Sequence, residues 1–244
     1  MKIVAMTALL YGKDYLSYAI RSIIDSVDEH YVMYCPYPSH GYNNGNLPPE
    51  TESELHQIAW EAAGLKLRWI RGDWQRENDQ RNSIFYYAPD AHAIVIVDSD
   101  EVYADGLVDE AIEYGFMARC GQLRLPFVHL WRSFKRGFAH DPAYPTRIVF
   151  PGQSGETVTM PTDKRIWHFG YAQNSAIVRY KIQNHGHLSE FRRNVDWFND
   201  VFMANRQTDC HPIGSEYWNV EDIDLNNLPV VLEHHPYRHL ELIP

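Results

Sequence analysis

The chain opens on a compact apolar run, Ile3-Val4-Ala5-Met6, with the pattern of a buried strand, and Tyr11-Gly12 follows as a turn. From Leu16 the apolar residues Leu16, Ala19, Ile20, Ile23, Ile24 and Val27 recur at helical spacing and form one wide stripe. Residues 30 to 35 are rich in strand formers and are stopped by Pro36 and Pro38. The stretch 37 to 49 shows no periodicity and reads as a long loop. Thr51 and Glu54 then fit a capping box, Leu55, Ile58, Ala59 and Ala62 supply an apolar stripe, and Gly64 is placed to end the helix. A strand over 65 to 70 and a helix over 75 to 88 lead to the strongest strand signal in the chain, residues 91 to 97.

That alternation of strand and helix predicts an α/β fold with a mostly parallel central sheet and helices on both faces. A continuous apolar strand such as Ala93-Ile94-Val95-Ile96-Val97 fits burial on both sides. Past Asp105 the pattern predicts a helix over 107 to 117 and a strand over 122 to 130. Residues 131 to 170 read as short strands and loops, followed by helices over 175 to 184 and 189 to 204. The tail from Asp209 has no assignable pattern. One domain, 1 to 244, is expected, with a sheet-and-helix half over 1 to 105 and a smaller, irregular C-terminal region over 106 to 244.

Composition narrows the function classes. The net charge of -10 disfavours a polyanionic partner such as nucleic acid unless a local basic groove overrides it. No apolar run reaches the roughly 20 residues of a membrane span, and no basic-then-apolar leader is visible, so a cytoplasmic protein is expected. Three cysteines, Cys35, Cys120 and Cys210, give neither a disulfide framework nor zinc-ribbon spacing. His185-Gly186-His187 and His234-His235 lack a further ligand at convincing metal spacing, and Arg192-Arg193 reads as a solvated helix face.

The densest chemistry is Asp98-Ser99-Asp100-Glu101, directly after the strongest strand. In an open parallel sheet the ligand crevice lies beyond the carboxyl ends of the strands. Strand stability does not call for three carboxylates at such an edge, whereas Mg2+ or Mn2+ binds one or two of them together with water and substrate phosphates. Arg81 shares a helix face with Ile84 and Phe85, so it points inward and needs an anion. Two partners are open to it, a phosphate of a bound nucleotide or a structural carboxylate such as Asp98 or Glu101.

With these residues the sequence resembles glycosyltransferases of the GT-A, Rossmann-like fold, particularly the family-2-like enzymes. The motif Asp98-Ser99-Asp100-Glu101 matches their Asp-x-Asp-Glu, and Glu77, Asn78, Gln80, Arg81 and Asn82 match the helix that precedes it. The likeness covers about residues 2 to 105; a later fragment is Trp167-His168-Phe169-Gly170-Tyr171, with Lys181 beyond it. The resemblance implies transfer of a sugar from a UDP- or GDP-linked donor to an unidentified acceptor, with inversion favoured and Mn2+ or Mg2+ as cofactor. It implies metal ligation by Asp98, Asp100 and His168, and donor contacts from Thr7, Tyr11, Arg81, Asn82, Asp98, Ser99 and Lys181. The family's acidic residue after the second strand is replaced by Cys35-Pro36-Tyr37-Pro38, which leaves the base of the nucleotide open. Among the carboxylates, Asp98 and Asp100 are the catalytic centre. Glu190 and Asp222 are candidates for activating the acceptor, with Asp141 and Asp196 as alternatives.

Rival readings differ in their sequence demands. A dehalogenase-type phosphatase needs its Asp-x-Asp after the first strand, where this chain has Met6-Thr7-Ala8, and a sugar nucleotidyltransferase needs a glycine-rich basic loop there. A noncatalytic nucleotide-sugar or carbohydrate-binding module would share the aromatic content. A transferase acting on a modified nucleic-acid base is the special case that the charge disfavours.

Overall fold

In the computed structural model, residues 1–38, 47–138, 144–153, 155–184, 196–204, 208–210 and 217–242 are described, with 208–210 and 217–219 described as backbone alone. Seven strands form the central sheet: β1 (Ile3–Leu9), β2 (Glu29–Tyr34), β3 (Leu67–Arg71), β4 (Ala93–Ile96), β6 (Gln122–Arg124), β9 (Thr146–Val149) and β10 (Thr157–Thr159). Their spatial order is β10-β6-β9-β4-β1-β2-β3. All run in one direction except β9, which is antiparallel to both β4 and β6. The chain steps outward from β1 to β2 and β3, then returns to the other side of β1 as β4. That reversal makes the carboxyl ends of β1 and β4 a topological switch point, the place where open α/β sheets commonly bind ligands.

Side chains alternate across β1 and thereby fix two layers. Val4 and Met6 pack with Ile84 of the short helix α4 (Ile84–Tyr87), which follows α3 (Glu77–Asn82), and with Ala88 at its C-terminal cap. On the other face, Leu9 packs with Leu16 and Ile20 of α1 (Lys13–Arg21) and with Leu55 and Ala59 of α2 (Glu52–Ala63). Ala5 meets Leu107, Ala111 and Ile112 of α5 (Leu107–Ala118) on that same side. The Thr51–Glu54 capping box is formed in both directions.

A second sheet is built from β5 (Glu101–Tyr103), β7 (Phe127–Trp131), β8 (Arg136–Phe138), β11 (Ile166–Tyr171) and β14 (Glu221–Asp222), in the order β14-β8-β7-β11-β5. A hairpin, β12 (Thr208–Cys210) with β13 (Tyr217–Asn219), follows helix α6 (Ser175–Gln183) and the π-helical segment Phe198–Met203.

Several expectations need correction. The strand expected over 122 to 130 is two strands in different sheets, because Pro126 offers no N–H to continue a ladder. The helix expected over 75 to 88 is interrupted at Ser83, whose hydroxyl donates to the Gln80 carbonyl at 2.6 Å and so engages a helical acceptor. Of the helix expected over 189 to 204, residues 189–195 lie outside the described residues and the rest is π-helical. The tail is structured where described. His235 stacks on Tyr15 at 4.7 Å and Tyr237 donates to Asp14 at 3.0 Å, tying the end of the chain to α1. No described helix is long and apolar enough to cross a membrane.

Candidate active site

The carboxylate turn stands at the switch point because β4 ends there and β5 begins the second sheet at once. Val97 N–H still donates to Met6 O, after which Glu101 N–H donates to Asp98 O at 3.0 Å and closes the turn. Ser99 Oγ donates to Tyr11 O at 3.0 Å, locking this turn to the one after β1. Gly12 permits the close approach: its φ is 130°, and a Cβ there would lie 2.4 Å from Ser99 Oγ. Its N–H points to Glu50 Oε2 at 3.3 Å.

The three acids are each matched by a cation. Asp98 Oδ1 lies 2.7 Å from Arg81 Nη2, and Asp98 Oδ2 accepts from Arg147 Nη2 at 3.1 Å. Arg81 also pairs with Glu77 at 2.7 Å, one turn back on its own helix. Arg147, on β9, grips Glu101 with both Nε (2.8 Å) and Nη2 (2.5 Å), and its guanidinium lies over the Phe127 ring at 5.1 Å. Burial pushes the Asp98 carboxyl up, but Arg81 and Arg147 outweigh it and hold the group below its ordinary range. Glu101 moves the other way, to about 7, because burial and the neighbouring Asp98 exceed what Arg147 returns.

Asp100 faces a different set. Lys181 Nζ, from α6, lies 2.9 Å from Asp100 Oδ2, and Gln173 Nε2 donates to the same oxygen at 3.4 Å. His168 Nε2 is 3.6 Å from Asp100 Oδ1. Burial opposes the Asp100 charge, yet Lys181 and His168 leave its carboxyl well below the ordinary range. Burial lowers His168 to about 4, so the ring is neutral at pH 7. Its Nδ1 lies 2.7 Å from His129 Nδ1, directly across the β7–β11 ladder. Gly170 leaves room for this gathering: a Cβ would sit 2.5 Å from both His168 Cε1 and Lys181 Nζ.

Among the described residues no three His, Cys, Asp or Glu side chains cluster as a metal-ion site. Asp100 and His168 nevertheless fit a partial one. Their donors are 3.6 Å apart, comparable with the roughly 3 Å between adjacent ligands of an octahedral ion with bonds near 2.1 Å. With its ring proton on Nε2, His168 faces Asp100 as a donor; with the proton on Nδ1 instead, the Nε2 lone pair would be free to take a cation beside the carboxylate. The Nδ1 contact with His129 has the form of an orienting outer-shell bond. Asp98 is held differently: its Oδ2 accepts from Arg147, while its Oδ1, 2.7 Å from Arg81 Nη2, finds no hydrogen-bond partner among the described residues and keeps a lone pair for a cation.

Most of the residues singled out in sequence converge here. Asp98, Ser99, Asp100, Arg81, His168 and Lys181 share one neighbourhood, with Tyr11 beside it in an edge contact of 5.2 Å with Tyr180. Thr7 does not reach the crevice: it is fully buried and bonded to His30 Nε2 at 2.9 Å. Asn82 is exposed on α3. Asp222 stands on β14, at the opposite edge of the second sheet from β5, too far across the ladder to join Asp98 and Asp100. Glu190 and Asp141 lie outside the described residues. Asp196 is exposed and bonded to Asn199 at 2.5 Å. Arg147, His129 and Gln173 were missed. An arginine inside the strand-like Thr146-Arg147-Ile148-Val149 was the one available signal.

No family model matches the chain, and no curated protein matches it. Among solved structures, S. aureus TarS resembles it at 11% identity and a TM-score of 0.47, covering 78% of this chain and 42% of that one. The structure of TarS residues 1-349 gives 12% identity, a TM-score of 0.38, and coverage of 59% and 38%. UTP-bound UGPase from Acinetobacter baumannii gives 11% identity, a TM-score of 0.39, and coverage of 78% and 97%. The chain thus spans about two fifths of the TarS structures, at 42% and 38% of their lengths.

Proposed function

We propose that the protein is a glycosyltransferase that takes its sugar from a nucleoside diphosphate, with Mn2+ or Mg2+ held by Asp100 and His168. The observation that carries this reading is the meeting of Asp100, His168 and Lys181 at the switch point of the central sheet. The motif resemblance supports it.

Departure of the diphosphate builds negative charge on its oxygens. Lys181 would stabilise that charge more in the transition state than before it, since its ammonium is already held in a partly desolvated place. The metal, when bound, adds Lewis-acid neutralisation of the same oxygens. Lys181 and His168 hold the Asp100 carboxyl well below its ordinary range, so at neutral pH it offers a charged oxygen rather than a hydroxyl. Arg81 and Arg147 hold Asp98 in place and make the turn rigid without a ligand. The Ser99–Tyr11 bond couples the turn to the loop on which the nucleotide would lie.

The test is thermal unfolding with UDP and GDP, with and without Mn2+, on the native protein and on Asp100→Asn. A ligand that binds only the folded state stabilises by RT ln(1 + [L]/Kd). Stabilisation that needs the metal and disappears in the variant is expected. Indifference to both nucleotides, or equal stabilisation of the variant, would overturn the reading. Binding without hydrolysis or transfer of any UDP- or GDP-sugar would favour a noncatalytic module.

A further inference from the structure

His129 and His168 face each other across the β7–β11 ladder, and their Nδ1 atoms stand 2.7 Å apart with the ring planes at 89°. Two lone pairs at that distance repel and two N–H groups collide, so the contact holds one proton between the rings. A neutral imidazole carries a single ring proton. The direction of this one bond therefore fixes the far nitrogen of both residues. When His129 donates, His168 carries its own proton on Nε2. When His168 donates, its Nε2 is a bare lone pair and the proton of His129 lies on Nε2.

The surroundings choose between the two arrangements. His168 Nε2 stands 3.6 Å from Asp100 Oδ1, while Lys181 and Gln173 reach the other oxygen, Oδ2. A proton on Nε2 meets that carboxylate with attraction, and a lone pair meets it with repulsion. Without a cation, then, His129 is the donor. A cation beside Oδ1 inverts the preference, because a metal takes neutral imidazole through a lone pair. The rings themselves are packed in place. Phe127 flanks both, at 5.6 and 6.0 Å between centroids, and a Cβ added at Gly170 would meet His168 Cε1 at 2.5 Å.

We propose that His129 is a positioning residue for the cation site: it forms with His168 a coupled pair whose shared proton changes sides when a cation is captured. The Nε2 proton of His168 leaves to water, the shared proton passes from His129 Nδ1 to His168 Nδ1, and His129 takes a proton from water at Nε2. Each ring carries one proton before and after, so the pair stays neutral and nothing is oxidised or reduced. The capture half rests on the reading of Asp100 and His168 as a cation site given above; the arrangement of the free pair rests on the geometry alone.

Long-range 1H–15N correlation of the imidazole rings at pH 7 tests it. In the metal-free protein His129 is expected to be protonated at Nδ1 and His168 at Nε2. With Mg2+ at a concentration that displaces bound Mn2+, both positions should exchange. Unchanged positions with Mg2+ bound would overturn the coupled pair and leave the cation site standing. A second arm compares His129→Asn with His129→Leu, whose side chains have nearly the same shape, although only the amide can donate to or accept from His168 Nδ1. Mn2+ affinity, read from the EPR signal of the free ion, should stay within a few-fold of native in His129→Asn and fall roughly 10–100-fold in His129→Leu. Equal affinity in the two variants would show that His129 acts by packing alone and would overturn the proposal. Native protein that binds no Mn2+, or binds it equally well as Asp100→Asn, would remove the cation site and the exchange with it, while the metal-free spectrum still decides the free pair.

Discussion

Lys181 and Asp100, 81 residues apart in sequence, meet at 2.9 Å with 13% of each side chain exposed. Their meeting joins the C-terminal helix to the turn that ends the central parallel strands. Breaking a buried pair by removing one partner costs about 3–5 kcal/mol, mostly because the other charge is left behind. Lys181→Met is therefore expected to lower stability by roughly 3 kcal/mol, measured by denaturant unfolding. Adding Asp100→Asn should recover at least half of that loss. Losses that simply add would show that the two groups do not depend on each other.

Arg147 sets a pH-dependent test. Glu101 has a folded pKa of about 7, above its ordinary 4.5. The folded state thus binds the extra proton between those values, and this group's contribution to stability falls as pH rises through that window. Removing Arg147 takes away the main cation opposing burial, which carries the window upward. Arg147→Met is expected to be destabilised more at pH 8 than at pH 5.5, where Glu101 can become neutral. Equal destabilisation at the two pH values would mean that Glu101 does not answer to Arg147.

How much of this was legible in the sequence depends on how local each signal was. The capping box at Thr51, the apolar strand before Asp98 and the first part of the α1 stripe (Leu16, Ala19 and Ile20) are written in neighbouring residues and are formed, whereas α1 ends at Arg21 and Ile23, Ile24 and Val27 pack from the 3-10 turn beyond it. The carboxylate turn was visible because charge beside a buried strand has no structural motive. The partners of those carboxylates were harder to read, since Arg147 comes from the one reversed strand of the sheet and His129 from a different sheet altogether. Periodicity reports which face of an element is buried but not which strand lies beside it. Thr7 shows the converse. The family resemblance implied a ligand contact for Thr7, while the pleat directs its side chain to His30.

His30 makes a stability prediction of the opposite sign. Burial lowers it to about 3 from an ordinary 6.5. The unfolded chain then binds the proton that the folded chain refuses, so stability is complete above pH 6.5 and is lost as pH falls. At pH 5 the loss from one such group is about 2 kcal/mol. In His30→Gln, which has no titrating ring, the fall in unfolding free energy between pH 7 and pH 5 should shrink by about that amount. An unchanged fall would place the acid sensitivity elsewhere, with His168 next in order.

Gly170 offers the sharpest separation of geometry from folding. A methyl group there would approach His168 Cε1 and Lys181 Nζ to 2.5 Å and His168 Nε2 to 2.7 Å. These are ends of side chains rather than backbone, so the strand can keep its register while the two groups move aside. Both would move away from Asp100, the carboxylate they serve. Gly170→Ala is therefore expected to fold with a loss of no more than about 1–3 kcal/mol, the usual range for overpacking. Its metal-dependent affinity for a nucleoside diphosphate should fall by tenfold or more, since misplacing groups by an ångström is costly in sites that rely on position. Titration of native and variant protein with Mn2+ and each nucleotide, beside denaturant curves for both, gives the two numbers. Full affinity in a folded Gly170→Ala protein would show that His168 and Lys181 do not need their present positions for binding.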